Sequence, residues 1–325
     1  MIVQELFESG NVYYLRDQRD GCDFEKLVES TYLTNLFEAL QDEMQSSFYD
    51  YDFILHSSHA LRKSHFLEQD ISRLGSAGRP KVVFFISDET ASTPWQLSKQ
   101  AAIVFKNMPP VRFSNPYPAN IFPFPLGCHR KTRALPIIPI QERKYNVFFS
   151  GQLSNKRLRL YKQLAGLPRL PTLFLRLAKP VVKSRYLDLS ERYPNSLISF
   201  TRSFANGTAV PTFDYARTIQ NSKIVLCPSG VVNPETLRHW EAMRAGCIVI
   251  SEPLPPSHYT TGSPIIFIKR WREADHIIKQ LLSNPRRMED IHRQTLDWYR
   301  NVCSERATAQ YMHKRIAQSQ VLQNA

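Results

Sequence analysis

The sequence predicts an α/β protein of two lobes, and three observations carry that prediction. A chain of 325 residues exceeds what one hydrophobic core usually serves and fits two domains. Short runs rich in Val, Ile and Phe alternate with amphipathic segments, the pattern of strand and helix units around a parallel sheet. Prolines gather between Asn107 and Pro139 (Pro109, Pro110, Pro116, Pro118, Pro123, Pro125, Pro136, Pro139), where they remove backbone donors and bar helix interiors. That stretch reads as a connection, which sets a lobe boundary near residue 140.

The elements follow in order. Strands are expected at Asp52 to His56, Val82 to Ile86 and Ile103 to Phe105 in the first lobe (1–140). In the second lobe (141–285) they are expected at Asn146 to Ser150, Thr172 to Leu175, Lys223 to Cys227, Ile248 to Ser251 and Ile265 to Ile268. The remaining residues (286–325) have helical character, with Ile291, Leu296, Trp298, Val302, Tyr311 and Ile316 as candidate buried positions, and these helices are candidates for packing back on the first lobe. No apolar run approaches the roughly 18 to 20 residues that span a bilayer. The N-terminus carries acidic residues where a signal peptide needs a basic start. Five cysteines (Cys22, Cys128, Cys227, Cys247, Cys303), scattered and odd in number, indicate neither a disulfide framework nor a zinc site, and fit reduced thiols in a cytoplasm.

Lys and Arg number 42 against 29 Asp and Glu, a formal charge of +13. Such a field favours anionic partners: nucleic acid, acidic phospholipid or phosphorylated small molecules, the plain alternative being a solvated basic surface. A basic nucleic-acid-binding protein is one reading, but no helix-turn-helix, RNA-binding aromatic motif or zinc pattern supports a specific nucleic-acid partner.

The most informative segment runs from Lys223 to Ser251. An apolar strand ends at Cys227, and Pro228, Ser229 and Gly230 make a turn. Asn233 then stands as a cap with Pro234 at the first helical position, and Gly246 as the helix stop before the next strand. Leu237, Trp240 and Met243 share one helix face and are expected to pack on the sheet. Arg238 and Glu241 share the other, where Ala242 and Ala245 keep the surface low. A guanidinium suits diphosphate and a carboxylate suits ribose hydroxyls, although an Arg and a Glu three apart also make an ordinary surface pair.

A matching unit lies at Tyr145 to Leu164. A strand runs into Gly151, and Lys156 and Arg157 open a helix whose backbone N–H groups, beside two cations, suit an anion. Ligands of open parallel sheets sit beyond the carboxyl ends of the strands, so both loops are expected at one crevice.

With Tyr215, SKIVLCPSG, Arg238 three before Glu241-Ala242, and AGCIVIS, residues 215–251 resemble the exostosin-like glycosyltransferases. FFSGQLSNKR resembles their first donor-domain strand and loop, and SDE (87–89) with FPLG (124–127) resembles the N-terminal lobe of bacterial members. The resemblance implies the GT-B fold: two Rossmann-like lobes with a cleft between them. It also implies transfer of a sugar from a nucleoside diphosphate sugar, a substrate and not a cofactor, to a glycan or glycolipid acceptor in surface polysaccharide synthesis. Donor-binding residues are then Gly151, Lys156, Arg157, Ser229, Gly230, Arg238 and Glu241. The family's additional upstream glutamate of retaining enzymes falls here at Asn233, which points to inversion. The membrane anchor of eukaryotic exostosins has no counterpart, which implies a bacterial cytoplasmic enzyme; its basic charge suits reversible contact with an anionic membrane through the N-terminal lobe or the returning C-terminal helices.

Three further groups are candidates. Asp88 and Glu89 follow an expected strand and are placed for a general base, or for an acidic pair stabilised at a helix start. Asp50 and Asp52 match a metal-binding DxD pattern but precede their strand, and His56, His59 and His65 lack ligand spacing, so no metal site is expected and three cations are to offset the leaving group.

Overall fold

The computed structural model describes residues 2–16, 22–57, 71, 74–88, 93–108, 118–185, 187–202, 210, 212–230 and 233–323. It divides into two compact α/β units: Met1–Arg130 with Pro255–Tyr259 and Val302–Ala325, and Lys131–Leu254 with Thr260–Asn301.

The first unit holds a six-stranded sheet in sequential order: β1 (Ile2–Glu5), β2 (Val12–Arg16), β3 (Asp52–Ser57), β4 (Lys81–Ile86), β5 (Ile103–Lys106) and β6 (Ile121–Pro123). β1 pairs antiparallel with β2 and the other pairings are parallel. β3 and β4 are buried along their whole length, which is why their sequences are continuous apolar runs. Leu15, Ile54, Val83, Phe85 and Val104 build the core on one face, where α2 (Trp95–Gln100) contributes Leu97. On the other, Phe37 of α1 (Ser30–Met44) packs on Phe53 and Phe84.

The structure closes the DxD pattern. Asp52 lies at the amino end of β3, fully buried, where it pairs with Lys81, faces Arg79 at 3.7 Å and accepts the Ser76 N–H at 3.0 Å. His56 is buried against Phe85, and burial lowers its pKa to about 4. His59 and His65 lie outside the described residues.

The second unit holds a five-stranded parallel sheet built from β7 (Tyr145–Gln152), β8 (Leu197–Thr201), β9 (Ser222–Cys227), β10 (Ile248–Ser251) and β11 (Ile266–Phe267). Their spatial order is β8-β7-β9-β10-β11. The chain leaves β7 to one side for β8 and returns across it to β9, so the direction of winding reverses between β7 and β9. A ligand crevice opens at such a reversal, beyond the strands' carboxyl ends. The helices of this unit are α3 (Leu158–Leu164), α4 (Thr172–Leu177), α5 (Lys179–Arg185), α6 (Thr212–Gln220), α7 (Leu237–Arg244), α8 (Arg272–Leu282) and α9 (Pro285–Trp298). A π-turn (Tyr299–Cys303) leads to α10 (Glu305–Gln323), which returns to the first unit.

Three expectations are corrected. Thr172 to Leu175 is not a strand but the start of α4, and β8 takes the place beside β7. A short apolar run fits either period, and Pro171 at the N-cap position decides for the helix. The helix after β9 begins at Leu237, not at Pro234, with Thr236 as its cap. The C-terminal helices bury a stripe offset from the expected one: Met288, His292, Thr295, Tyr299, Cys303, Met312 and Ile316 are inside, whereas Ile291, Leu296, Trp298, Val302 and Tyr311 are half-buried. No helix among the described residues is long and apolar enough to cross a membrane.

Candidate functional site

At the reversal between β7 and β9 the structure brings together Gly151, Arg157, Ser229, Gly230 and Arg238. Arg238 stands on the second residue of α7 and is almost wholly buried. Its Nε donates to the Tyr215 hydroxyl (2.9 Å), its Nη2 donates to the carbonyl of Ser150, and its guanidinium lies over the Phe149 ring at 4.9 Å. Nη1 is buried with no hydrogen-bond partner among the described residues. Arg157, at the cap position of α3, donates from Nε to the Ser229 carbonyl (3.2 Å) and from Nη1 to that of Gln152 (3.1 Å).

Gly151 makes this convergence possible. A Cβ there would stand 2.9 Å from Arg157 Nη1 and 3.1 Å from Arg238 Nη2, so any side chain would push both guanidiniums away. Gly230 has a backbone reason of its own, since a Cβ would meet the Asn233 carbonyl oxygen at 2.8 Å.

The electrostatics are those of a half-formed ion cluster. Burial, and then the charge of Arg238 beside it, lowers the Arg157 pKa to about 10. Burial also opposes the charge of Arg238, but Tyr215, Cys227 and Glu241 around it hold its pKa above the ordinary guanidinium value. Tyr215 and Cys227 are themselves pushed up to about 12 by burial, so both stay protonated at neutral pH. Two neighbouring cations, one with a buried unpartnered donor, make a place where an anion lowers the energy of the site.

Other groups differ from expectation. α3 starts after Arg157, whose own N–H already bonds the Ser154 carbonyl at 3.1 Å, and Lys156 is exposed. Both Ser229 donors go to one carboxylate oxygen of Glu252, from N at 2.9 Å and from Oγ at 2.6 Å. Glu252 follows β10 directly, so the rule that ligands meet strand ends points to it as well as to Ser229. Glu241 is buried and lines a small cleft with Thr132, Arg133, Leu135, Ala216 and Gln220. The Leu237, Trp240 and Met243 face packs inward as expected for Trp240 and Met243, but the opposite face is buried too, and the Trp240 indole donates to Glu235 at 2.8 Å.

Asp88 follows β4 and is buried in an ion pair with Lys106 at 2.5 Å, on top of which Lys106 lies 4.7 Å from the Phe85 ring centre. A base role requires Asp88 to leave that pair. Glu89 lies outside the described residues. No group of three or more His, Cys, Asp or Glu residues poised for a metal occurs among the described residues.

Residues 195–312, from just before β8 into α10, match the family model described as the RXYLT1 C-terminal domain. No curated protein matches the chain. Among solved structures the chain is similar to HepE from Anabaena in complex with UDP, at 11% identity and a TM-score of 0.47, covering 87% of this chain and 82% of that one. It is similar also to sucrose-phosphate synthase from Thermosynechococcus elongatus, at 12% identity and a TM-score of 0.48, covering 93% and 80%. OtsA in its apo form is a third, at 12% identity and a TM-score of 0.46, covering 89% and 77%.

Proposed function

We propose that the chain is a GT-B glycosyltransferase that binds a nucleoside diphosphate sugar at the reversal point of the second unit's sheet and passes the sugar to a glycan or glycolipid acceptor. The observation that carries this reading is the Arg157 and Arg238 pair over Gly151, with Nη1 of Arg238 buried and without a hydrogen-bond partner among the described residues. The family match supports it, since it spans β9, α7 and β10 and names an exostosin-like glycosyltransferase family. In this reading Arg157 and Arg238 hold the diphosphate and offset the charge of the leaving group without a metal. Glu241 accepts the ribose hydroxyls, and Gly151, Gly230 and Ser229 shape the loops around them. Lys156, exposed beside the site, adds long-range attraction for the donor. The sugar passes to the acceptor hydroxyl with inversion as the nucleoside diphosphate leaves, and the proposed general base that takes the hydroxyl proton is Glu89 or an Asp88 released from Lys106.

A thermal-shift and calorimetric series with UDP, GDP, CDP and ADP, followed by release of nucleoside diphosphate from the matching nucleotide sugar, tests this. At least one nucleotide is expected to raise the melting temperature in the presence of EDTA, and Glu241→Gln is expected to weaken it about tenfold or more by losing a charged hydrogen bond. A folded Glu241→Gln protein with unchanged affinity would remove the ribose assignment. No response to any of the four nucleotides would remove the function.

A further inference from the structure

α4 and α5 present an outward face that the donor site does not use. The two helices run almost without a break, since the Ala178 N–H bonds the Phe174 carbonyl at 2.8 Å and the Val182 N–H bonds that of Ala178 at 3.0 Å. Leu175 and Val182 turn inward to the core of the unit. Leu173, Phe174, Leu177 and Val181 turn outward and are 63%, 58%, 72% and 60% exposed. Their spacing of three and four places them on one stripe. Single exposed apolar residues are ordinary, but four large ones on one helical stripe are a binding surface.

The charge around the stripe says what it meets. From Leu153 to Leu187 the chain carries Lys156, Arg157, Arg159, Lys162, Arg169, Arg176, Lys179, Lys183 and Arg185, and no Asp or Glu at all. Lys156, Arg159, Arg169 and Arg176 are exposed. A second copy of the chain would set one basic rim against another, and an ordinary protein partner does not call for an acid-free collar. A helix with apolar residues on its outer face and Lys and Arg beside them fits the boundary between anionic headgroups and acyl chains. We propose that this face docks the second unit on an anionic lipid surface, with Phe174 and Leu177 entering the acyl boundary and the flanking Arg and Lys residues holding headgroups. The proposal does not depend on the donor reading. It places the contact on α4 and α5 of the second unit, and not on the N-terminal lobe or the C-terminal helices. Lys179 also donates to Asn155 Oδ1 at 2.8 Å, which ties α5 to the loop that delivers Arg157.

Flotation of the full chain with vesicles of phosphatidylcholine alone, or of phosphatidylcholine mixed with phosphatidylglycerol, at low and high salt, tests it. The wild type is expected to float with the mixed vesicles and far less with the neutral ones, and salt is expected to weaken the association. Phe174→Ser with Leu177→Ser is expected to cut binding about tenfold or more, because two large apolar side chains leave the acyl boundary. Arg169→Glu with Arg176→Glu is expected to cut it comparably and to flatten the salt dependence. All four side chains are exposed, so an unchanged melting temperature is expected to show that both variants fold. Equal flotation with neutral vesicles, none with mixed ones, or undiminished binding by the folded serine variant overturns the proposal. So does a sedimentation-velocity dimer that the serine variant abolishes when the wild type shows no vesicle binding, since that assigns the face to self-association.

Discussion

Gly151 is the residue on which the candidate site is most sensitive. The methyl group of Gly151→Ala would press on both guanidiniums, and Arg157 and Arg238 have little slack because Nε and Nη1 of Arg157 are held by the Ser229 and Gln152 carbonyls, and Nε and Nη2 of Arg238 by the Tyr215 hydroxyl and the Ser150 carbonyl. The expected outcome is a loss of nucleoside diphosphate affinity of about tenfold with a stability cost near 1 kcal/mol, read by calorimetry beside a denaturant melt. At this scale much of the site is legible in the sequence. Gly151, Arg157, Ser229, Gly230 and Arg238 are marked by strand-end position and residue type, and the fold brings them together. Glu252 is marked by strand-end position alone, and Ser150 and the hydroxyl of Tyr215 are not marked, because a carbonyl or hydroxyl that receives a guanidinium leaves no composition signal. Asp88 looks the same in sequence whether it faces a substrate or Lys106, and only the third dimension shows the pair.

Among the elements, α7 carries the site and is pinned at both ends. Nδ1 of His239 lies 3.1 Å from the Thr236 N and 3.0 Å from its carbonyl oxygen, Nε2 of the same ring lies 2.8 Å from Ser251 Oγ, and Ser251 donates to the Glu252 carbonyl at 2.7 Å. At the other end Arg143 donates to the Ala245 carbonyl at 2.5 Å and to that of Ser222 at 2.9 Å, a cation on the negative end of the helix. Burial lowers the pKa of His239 to about 4, as it does for His56, and His258 and His292 move in the same direction. At His56 and His239 the unfolded chain takes up a proton near pH 6.5 and the folded chain does not until about pH 4. Stability is therefore fully present above about pH 6.5 and is lost as pH falls towards about 4, by roughly 2 to 3 kcal/mol for each of His56 and His239. Thermal melts across that range are expected to show the fall, and His239→Gln is expected to flatten it. The strands between punctuation marks were readable as elements, since β3, β4, β5, β7, β9 and β10 are buried parallel strands with continuous apolar runs. β1 and β2, with their polar positions, were not, and the Thr172 run misleads because α4 keeps Leu173, Phe174 and Leu177 outside with Leu175 inside, against the usual relation of hydrophobicity and burial.

At the scale of the whole molecule, the first unit draws its last layer from residues far along the chain. α10 packs on α1 in that unit: Ala309, Met312 and Ile316 are buried there, and the Tyr32 hydroxyl reaches Thr308 Oγ1 at 3.5 Å. Ile316→Ala is expected to cost about 2 to 4 kcal/mol, seen as a lower denaturant midpoint, because Ile316 is buried where α10 packs in the unit and its truncation leaves a cavity. The length and the apolar runs announce two α/β units, and the helical C-terminus stands as a candidate for this return, but no local pattern records that α1 is the surface that accepts it. The arrangement has a consequence for biosynthesis. A ribosome adding about 5 to 20 residues per second delivers β1 to β6 and α1 early, then all of the second unit, and only then α10. For an interval on the order of ten seconds or more, the nascent first unit exposes the apolar face of α1 while its neighbour in sequence is already able to fold. Such a chain is a natural client for chaperones that hold nascent hydrophobic surfaces, and its yield in a heterologous host depends on them before it depends on the stability of the finished protein.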